Sequence, residues 1–343
     1  MRKNKVTVLA GRGVIPAAGQ VEVRGADGKP REGLTAKNIL LATGSRAQSL
    51  PGVAIDGKKI LSSTEAMLLD SIPESMIIVG GGAVGVEFAY LYNAYGTKVT
   101  LLEMLPTLLP NEDQEISEQL RRSFQKQGIQ VLLGAKVEEV KTAGKGVQVS
   151  VQAGEAGEPQ NITGELLLMA VGRQPNSDGI GIEELKVELD HGFVKVDKTM
   201  RSSVPGLYAI GDVIGAPLLA HVASAEGIVA VETMAGQSPA GLNYANIPSC
   251  TYCQPQVASV GLTEEQAKKE GHEVRVGRFP FRASGKALAL GEEEGMVKIV
   301  AAAKHGAILG VHIIGADATE QIAEAGLALT LEATLEEIAA TVH

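Results

Sequence analysis

The sequence predicts an α/β fold with parallel, doubly wound sheets, and three observations point to it. The apolar run Met76-Ile77-Ile78-Val79 feeds directly into Gly80-x-Gly82-x-x-Gly85 and a helical segment at 84–95. A second apolar strand, at 98–102, then ends on Glu103. Finally, a series of short strands closing on Ala-x-Gly occurs twice, at Ala42-Thr43-Gly44 and at Ala170-Val171-Gly172. Small residues at those two ends let backbone approach a ligand closely.

The glycine spacing has a physical reading. Gly80 permits a tight turn, Gly82 lets the backbone approach a pyrophosphate, and Gly85 allows helix and strand to pack closely. The helix start adds N–H groups and partial positive charge. Glu103, about 20 residues further on, is placed to accept ribose hydroxyls and to repel a 2′-phosphate, which selects NAD over NADP. The alternative is a glycine-rich turn in some other doubly wound fold. The strand–helix–strand context ending in an acid weighs against it.

Composition narrows the class. The chain has 343 residues, enough for two or three domains, with 45% hydrophobic and 21% charged residues, as in ordinary globular proteins. A net charge of −9 argues against nucleic acid or an anionic membrane as partner. No uncharged apolar run reaches the roughly 20 residues that a spanning helix needs. The basic start, Met1-Arg2-Lys3-Asn4-Lys5, lacks a hydrophobic signal region behind it. Two cysteines suit a reducing compartment, and the expected location is the cytoplasm. Aromatics make up only 3% while glycines number 41, which fits close backbone packing and disfavours a base-stacking surface.

Residues 6–41 read as strands, with Val21, Val23 and the Asp27-Gly28-Lys29-Pro30 turn as a hairpin signal. An apolar strand at 38–42 follows, and Pro51 and Gly52 open a linker. A second unit begins near 72. After Glu103 comes a helix at about 113–127, with Ile116, Leu120 and Phe124 on one face and Gly128 as its stop. Strands near Val131, Val137 and 147–151 lead through a polar turn at 154–161 to an apolar strand at 165–170. The shared pattern of meander and Ala-x-Gly strand suggests an internal duplication, with chance similarity as the alternative. The first copy has no glycine loop upstream of residue 6.

Residues 206–212 read as a buried strand ending in Gly211-Asp212, which points a carboxylate into the ligand crevice. A helix cap or turn residue is the plainer reading of Asp212. The stretch 217–221 then enters a helix near 222–235, whose first N–H groups form another possible cradle. From about 244 the character changes. Short strands (257–260, 274–280, 296–300, 307–314) alternate with helices, one capped by Thr263 and Gln266 and stopped at Gly271, another at about 318–331. With no phosphate loop or polar cluster, this reads as an α+β assembly domain. The predicted division is 1–71 and 193–244 for an incomplete first Rossmann-like domain, 72–192 for the second, and 245–343 for the assembly domain.

The order of these pieces resembles the FAD-dependent pyridine nucleotide–disulfide oxidoreductases, and within them most closely the members that oxidise dihydrolipoamide. It rests on the run Lys37-Asn38-Ile39-Leu40-Leu41-Ala42-Thr43-Gly44-Ser45, on the 80–87 loop, on Gly172-Arg173-Gln174-Pro175-Asn176 and on 207–213. It continues through Leu219-Ala220-His221-Val222-Ala223 with Glu226-Gly227, and Val260-Gly261-Leu262-Thr263-Glu264. The resemblance implies NAD contacts at Gly80, Gly81, Gly82, Ala83, Val84, Gly85, Val86, Glu87, Glu103, Val137 and Gly172. It implies FAD contacts at Gly13, Thr43, Gly44, Ser45, Asp212, Leu218, Leu219, Ala220 and His221. Glu87 would lie near the flavin–nicotinamide junction. The C-terminal domain would be a homodimer interface. The implied partners are lipoyl-bearing 2-oxo acid dehydrogenase or glycine cleavage complexes.

Departures from the family pattern stand beside these matches. The sequence carries neither a first FAD-binding GxGxxG nor a C-x-x-x-x-C redox pair, and it ends at Ala340-Thr341-Val342-His343, where a His-Pro motif is expected. The expectation is therefore a fragment cut at both ends, with FAD binding doubtful, no catalytic residue of its own and no turnover of dihydrolipoamide alone. Other readings are a different flavoprotein disulfide reductase, mercuric reductase or transhydrogenase, and a non-catalytic NAD-binding dimeric module.

Two features are discounted. In Cys250-Thr251-Tyr252-Cys253 a strand would send the two thiols to opposite faces, and a zinc site would need two more ligands. The histidines at 191, 221, 272, 305, 312 and 343 show no metal spacing, so no metal ligand is assigned.

Overall fold

The computed structural model describes residues 2–144, 146–154 and 159–342. The chain forms two compact units, one of Met1–Arg46 with Arg173–Asn243, the other of Ala47–Gly172 with Tyr244–His343.

The first unit opens with an antiparallel meander, Arg12–Ala17, Gln20–Arg24 and Pro30–Thr35. Its second turn is held where Lys29 N–H donates to the Asp27 carboxylate and Gly28 takes a left-handed φ of 74°. The strand Ile39–Leu41 then pairs in parallel with Leu207–Ala209, Leu40 opposite Tyr208. Ile15, Ile39, Leu41, Ile182, Val194 and Leu207 share the core behind them.

The strand expected over 206–212 stops at Ala209, and Gly211–Ile214 winds into a 3-10 turn. The cause is local. Gly211 adopts φ 71°, and its N–H donates to the buried Glu226 carboxylate at 2.7 Å instead of extending the ladder. The helix Ala220–Met234 follows.

The second unit holds a five-stranded parallel sheet in the order Ile60–Leu61, Leu166–Met169, Ser75–Val79, Lys98–Leu102, Gln130–Leu132. Its strands are almost continuous apolar runs because both faces are covered. Helix Ala83–Ala94 connects two of them, and helix Gln114–Lys126 buries Ile116, Leu120 and Phe124 completely. A second meander, Ala135–Ala143, Gly146–Ala153 and Pro159–Gly164, precedes Leu166–Met169 just as the first precedes Ile39–Leu41. Of the polar turn expected over 154–161, residues 155–158 lie outside the described residues, and Asn161 already pairs with Ser150.

The boundaries differ from those expected near 71 and 192. Ile60–Leu61 extends the sheet of the second unit, so 47–71 belongs there. Ile180, Ile182 and Val187 pack with Ile15 and Ile39, which draws 173–192 into the first unit.

The C-terminal part of the second unit is an antiparallel sheet ordered Ser249–Thr251, Gln256–Gly261, Ile308–Gly315, Met296–Ala302, Val274–Pro280. One face, with Val260, Val311 and Ile313, packs on helix Ala318–Thr330 through Ile322 and Ala325. Val257 and Ile314, on the other face, join the core of Phe124 and Leu120.

Candidate dinucleotide site

The glycine loop of the second unit is shaped by contacts only hydrogen atoms tolerate. Gly80 sits at φ 112°, and a β-carbon there would lie 2.2 Å from the Ala170 carbonyl oxygen. At Gly85 a β-carbon would lie 1.8 Å from the Gly80 oxygen, so helix and loop touch through backbone alone. Gly82 differs: nothing lies within 4 Å of its missing β-carbon. It is the N-cap of helix Ala83–Ala94 and supplies no side-chain acceptor, so the first N–H groups of the helix are uncapped beside the open space over Gly82. Behind them Val86 is fully buried and anchors the helix start.

Glu103 does more than end its strand. Its carboxylate accepts from Gly81 N–H at 2.6 Å and from Leu105 N–H at 2.7 Å, and the residue is 9% exposed. Two of its lone-pair positions thus shape the loop, which leaves acceptor capacity for a ligand hydroxyl. Glu87, one helical turn along, accepts from Tyr252 N–H at 2.9 Å, and burial pushes its carboxyl above the usual range. Val137 is half-buried against Leu102, Val149 and Val151. Gly172 is exposed at φ 127°, and its carbonyl accepts from Gln48 N–H at 2.9 Å.

In the first unit a polar cluster forms at the strand ends. The Ser45 hydroxyl donates to Asp212 Oδ2 at 2.5 Å, while Arg173 Nε donates to the Ser45 hydroxyl at 2.6 Å and lies 3.5 Å from Asp212. Asn176 reaches the same loop, its backbone N–H donating to Gly44 O and its side-chain amide to Thr43 O, both at 2.9 Å. Gly44 turns at φ 69°. Leu219 is the N-cap of helix Ala220–Met234 and again lacks a side-chain cap, with Leu218 half-buried and Ala220 and His221 exposed. Gly13 stands apart, exposed in the meander opposite Val23 with open space over its α-carbon.

Arg173, Asn176 and Glu226 were not singled out by residue chemistry, although all three fall inside the quoted motifs. Arg173 directly follows the second Ala-x-Gly just as Ser45 follows the first. That equivalence is the signal that could have paired them.

The cysteines do not form a redox pair. Cys250 is half-buried in strand Ser249–Thr251, but Cys253 lies beyond it, contrary to a strand over 249–253, because its N–H turns back to the Thr251 carbonyl. Both are free, and burial pushes the Cys253 thiol far above its ordinary range. Among the described residues no cluster of three His, Cys, Asp or Glu side chains could hold a metal ion. No helix among them is long and apolar enough to cross a membrane.

Residues 1–227 match the family described as Pyridine nucleotide-disulphide oxidoreductase, and residues 247–343 match that family's dimerisation domain. The chain belongs to this family. Among its relatives are the dihydrolipoyl dehydrogenase of Chlorobaculum tepidum, 49% identical over all of this chain and 73% of the relative, and that of Bacillus subtilis, 44% identical over 74% of the relative. Among solved structures, LpdA from Mycobacterium tuberculosis superimposes with a TM-score of 0.90 at 28% identity, covering 100% of this chain and 75% of the other. The HOCl-induced flavoprotein disulfide reductase RclA from Escherichia coli gives 0.88 at 25% identity, covering 98% and 76%. Members of this oxidoreductase family use FAD and NAD. The open helix start at Gly82 fits a pyrophosphate, and the uncapped helix start at Leu219 beside the Asp212 cluster offers the same kind of donors.

Proposed function

We propose that this chain carries the nucleotide-binding and dimerisation parts of a dihydrolipoyl dehydrogenase-type oxidoreductase, which passes electrons from protein-bound dihydrolipoamide to NAD. The observation that carries this reading is the Gly80–Gly85 loop, with a cleared and uncapped helix start at Gly82, in a chain 49% identical to a dihydrolipoyl dehydrogenase.

In this reading the Ala83 and Val84 N–H groups hold the NAD pyrophosphate, and Glu103 accepts the ribose hydroxyls while keeping Gly81 in place. Gly172, Val137 and Glu87 border the same ligand. Thr43, Gly44, Ser45 and Asp212 receive FAD together with the Leu218–Leu219–Ala220–His221 turn, and Gly13 belongs to the same domain. FAD, when bound, supplies the two-electron chemistry between a dithiol and NAD. The chain's residues bind and orient, and Arg173 holds the Asp212 carboxylate and the Ser45 hydroxyl in one arrangement. A homodimer built through residues 247–343, a cytoplasmic location and service to a lipoyl-bearing complex complete the proposal.

Titrating the full chain with NADH and NADPH by cofactor fluorescence tests its central part. NADH is expected to bind tighter by about tenfold or more, because Glu103 opposes a 2′-phosphate. Equal or tighter binding of NADPH would overturn the role given to Glu103.

A further inference from the structure

A row of polar side chains crosses the C-terminal sheet. Ser249, Ser259, His312, Lys298 and Arg278 stand directly opposite one another on its five strands, in sheet order. The pleat places them on one face, while Ala258, Val260, Val311 and Ile313 alternate to the other. That polar row receives the acidic start of helix Gln114–Lys126. Glu112 lies against the Ser249 and Ser259 hydroxyls, with its Oε2 buried and without a hydrogen-bond partner. Lys298, 2% exposed, pairs with Asp113 at 2.9 Å, Glu115 at 2.7 Å and Glu264 at 2.9 Å, and Arg278 closes on Glu115 at 2.6 Å.

A few residues upstream, the same segment forms the floor of the glycine loop. Leu108 is fully buried where a side chain on Gly81 would otherwise sit. Leu109 N–H donates to the Gly81 carbonyl at 2.8 Å, and Glu103 holds the Gly81 N–H from the other side. Between floor and acidic start, Leu109 is left-handed at φ 45°. A branched residue persists there only when both flanks over-determine it. One flank is Gly81; the other is the helix start, where Ser117 Oγ and Glu112 N–H both donate to Leu109 O.

We propose that Lys298 is a positioning residue for the dinucleotide loop, holding the acidic helix start so that the Leu109 turn keeps Gly81 in its binding conformation. Without the ammonium group, the buried Asp113 loses its cationic partner while Glu115 keeps Arg278, and the helix start moves outward to hydrate Asp113. Leu109 then relaxes from its left-handed conformation, and the Gly81 carbonyl loses its donor. The effect on ligand affinity rests on the NAD reading given above; the effect on the loop does not.

Hydrogen exchange on the full chain, read by peptide across 79–86 and 105–112, tests the loop directly, and NADH titration tests the consequence. Lys298→Met is expected to speed exchange in both peptides and to weaken NADH binding about tenfold, with Lys298→Arg restoring both. Glu115→Gln, whose side chain is part-exposed, keeps the fold and should show the same pattern more weakly. Val260→Ala serves as the control, since it opens a cavity on the opposite face of the same sheet and lowers stability without local exchange in the loop. Unchanged exchange in 79–86 for Glu115→Gln and any folded Lys298 variant would overturn the proposal, as would equal loop exchange in Val260→Ala. Loop exchange that responds in a chain indifferent to NADH would sustain the coupling and sink the NAD reading instead.

Discussion

At the end of Ser75–Val79 the chain turns on three glycines, while at the end of Ile39–Leu41 it turns on one glycine and a hydroxyl. Ile39–Leu41 follows the first meander, Ser75–Val79 pairs with the strand that follows the second, and both loops lie at the C-terminal ends of parallel strands. The first is made of backbone, with close approaches at Gly80 and Gly85 and free N–H groups beyond Gly82. The second is made of side chains, with Ser45, Arg173 and Asp212 gathered from positions up to 167 residues apart. A backbone site tolerates no added atoms at its contact points and depends little on charge. A side-chain site is softer to volume and sensitive to the loss of a single polar group.

The largest expected effect tests the backbone side of that contrast. Gly85→Ala places a methyl group 1.8 Å from the Gly80 oxygen and should destabilise the second unit by about 3 kcal/mol, read from denaturant unfolding. A loss under about 1 kcal/mol would show that the loop relaxes as side-chain sites do. In the first unit, Asp212→Ala removes the acceptor of Ser45 and the partner of Arg173. Its cost should be about 1–2 kcal/mol, since both charged groups are part-exposed. A larger loss than for Gly85→Ala would invert the comparison.

Two smaller effects, both within the second unit, are read by pH. Burial holds the Glu112 carboxyl above its ordinary 4.5, so the folded state keeps a proton that the unfolded chain releases, and stability falls as pH rises past that value. Glu112→Gln should therefore raise stability near neutrality by about 1 kcal/mol, with calorimetric melts as the measure. Glu115 and Glu264 have the opposite sign. Arg278 and Lys298 hold Glu115 at about 2, and Lys268 and Lys298 hold Glu264 at about 2, so their contribution is present above about 4.5 and fades as pH falls toward 2. Melts of Glu115→Gln should lose part of that acid limb, and an unchanged limb would remove Glu115 from the account. Smallest of all for the fold is Gly82→Ala, expected to change stability by under about 1 kcal/mol because its β-carbon meets nothing. Its NADH affinity should nonetheless fall several-fold, and unchanged affinity would show that no phosphate approaches there.

The same contrast explains what could be read from the chain before its structure. Gly80, Gly82 and Gly85 announce themselves because a backbone site needs particular residues at a particular spacing within one strand–turn–helix. Ile116, Leu120 and Phe124 were equally legible, since a helix face repeats locally, and all three are fully buried. The Thr263 and Gln266 capping box was visible for the same reason and is present. The partnership of Ser45 with Arg173 was not, because nothing local to either residue refers to the other. Nor was the end of the strand at Ala209, which depends on Glu226 taking the Gly211 N–H from a helix further on. The grouping of 47–71 with the second unit was illegible for a related reason: the two-residue strand Ile60–Leu61 is too short to carry a period and is recruited by Leu166–Met169.

The polar row across the C-terminal sheet has one more consequence, for how that sheet finds its pairing. Its strands are rich in Val, Ile and Ala on both faces, so apolar content alone would accept several alignments. Slipping Met296–Ala302 by a single residue would turn Lys298 away from its carboxylates onto the face of Val311 and Ile313, and slipping Ile308–Gly315 would take His312 from the Leu262 carbonyl. Three polar residues on the inner strands, Ser259, His312 and Lys298, thus act as keys that only one alignment admits. The sheet that resembles mere packing material thus carries its own marker of correct pairing.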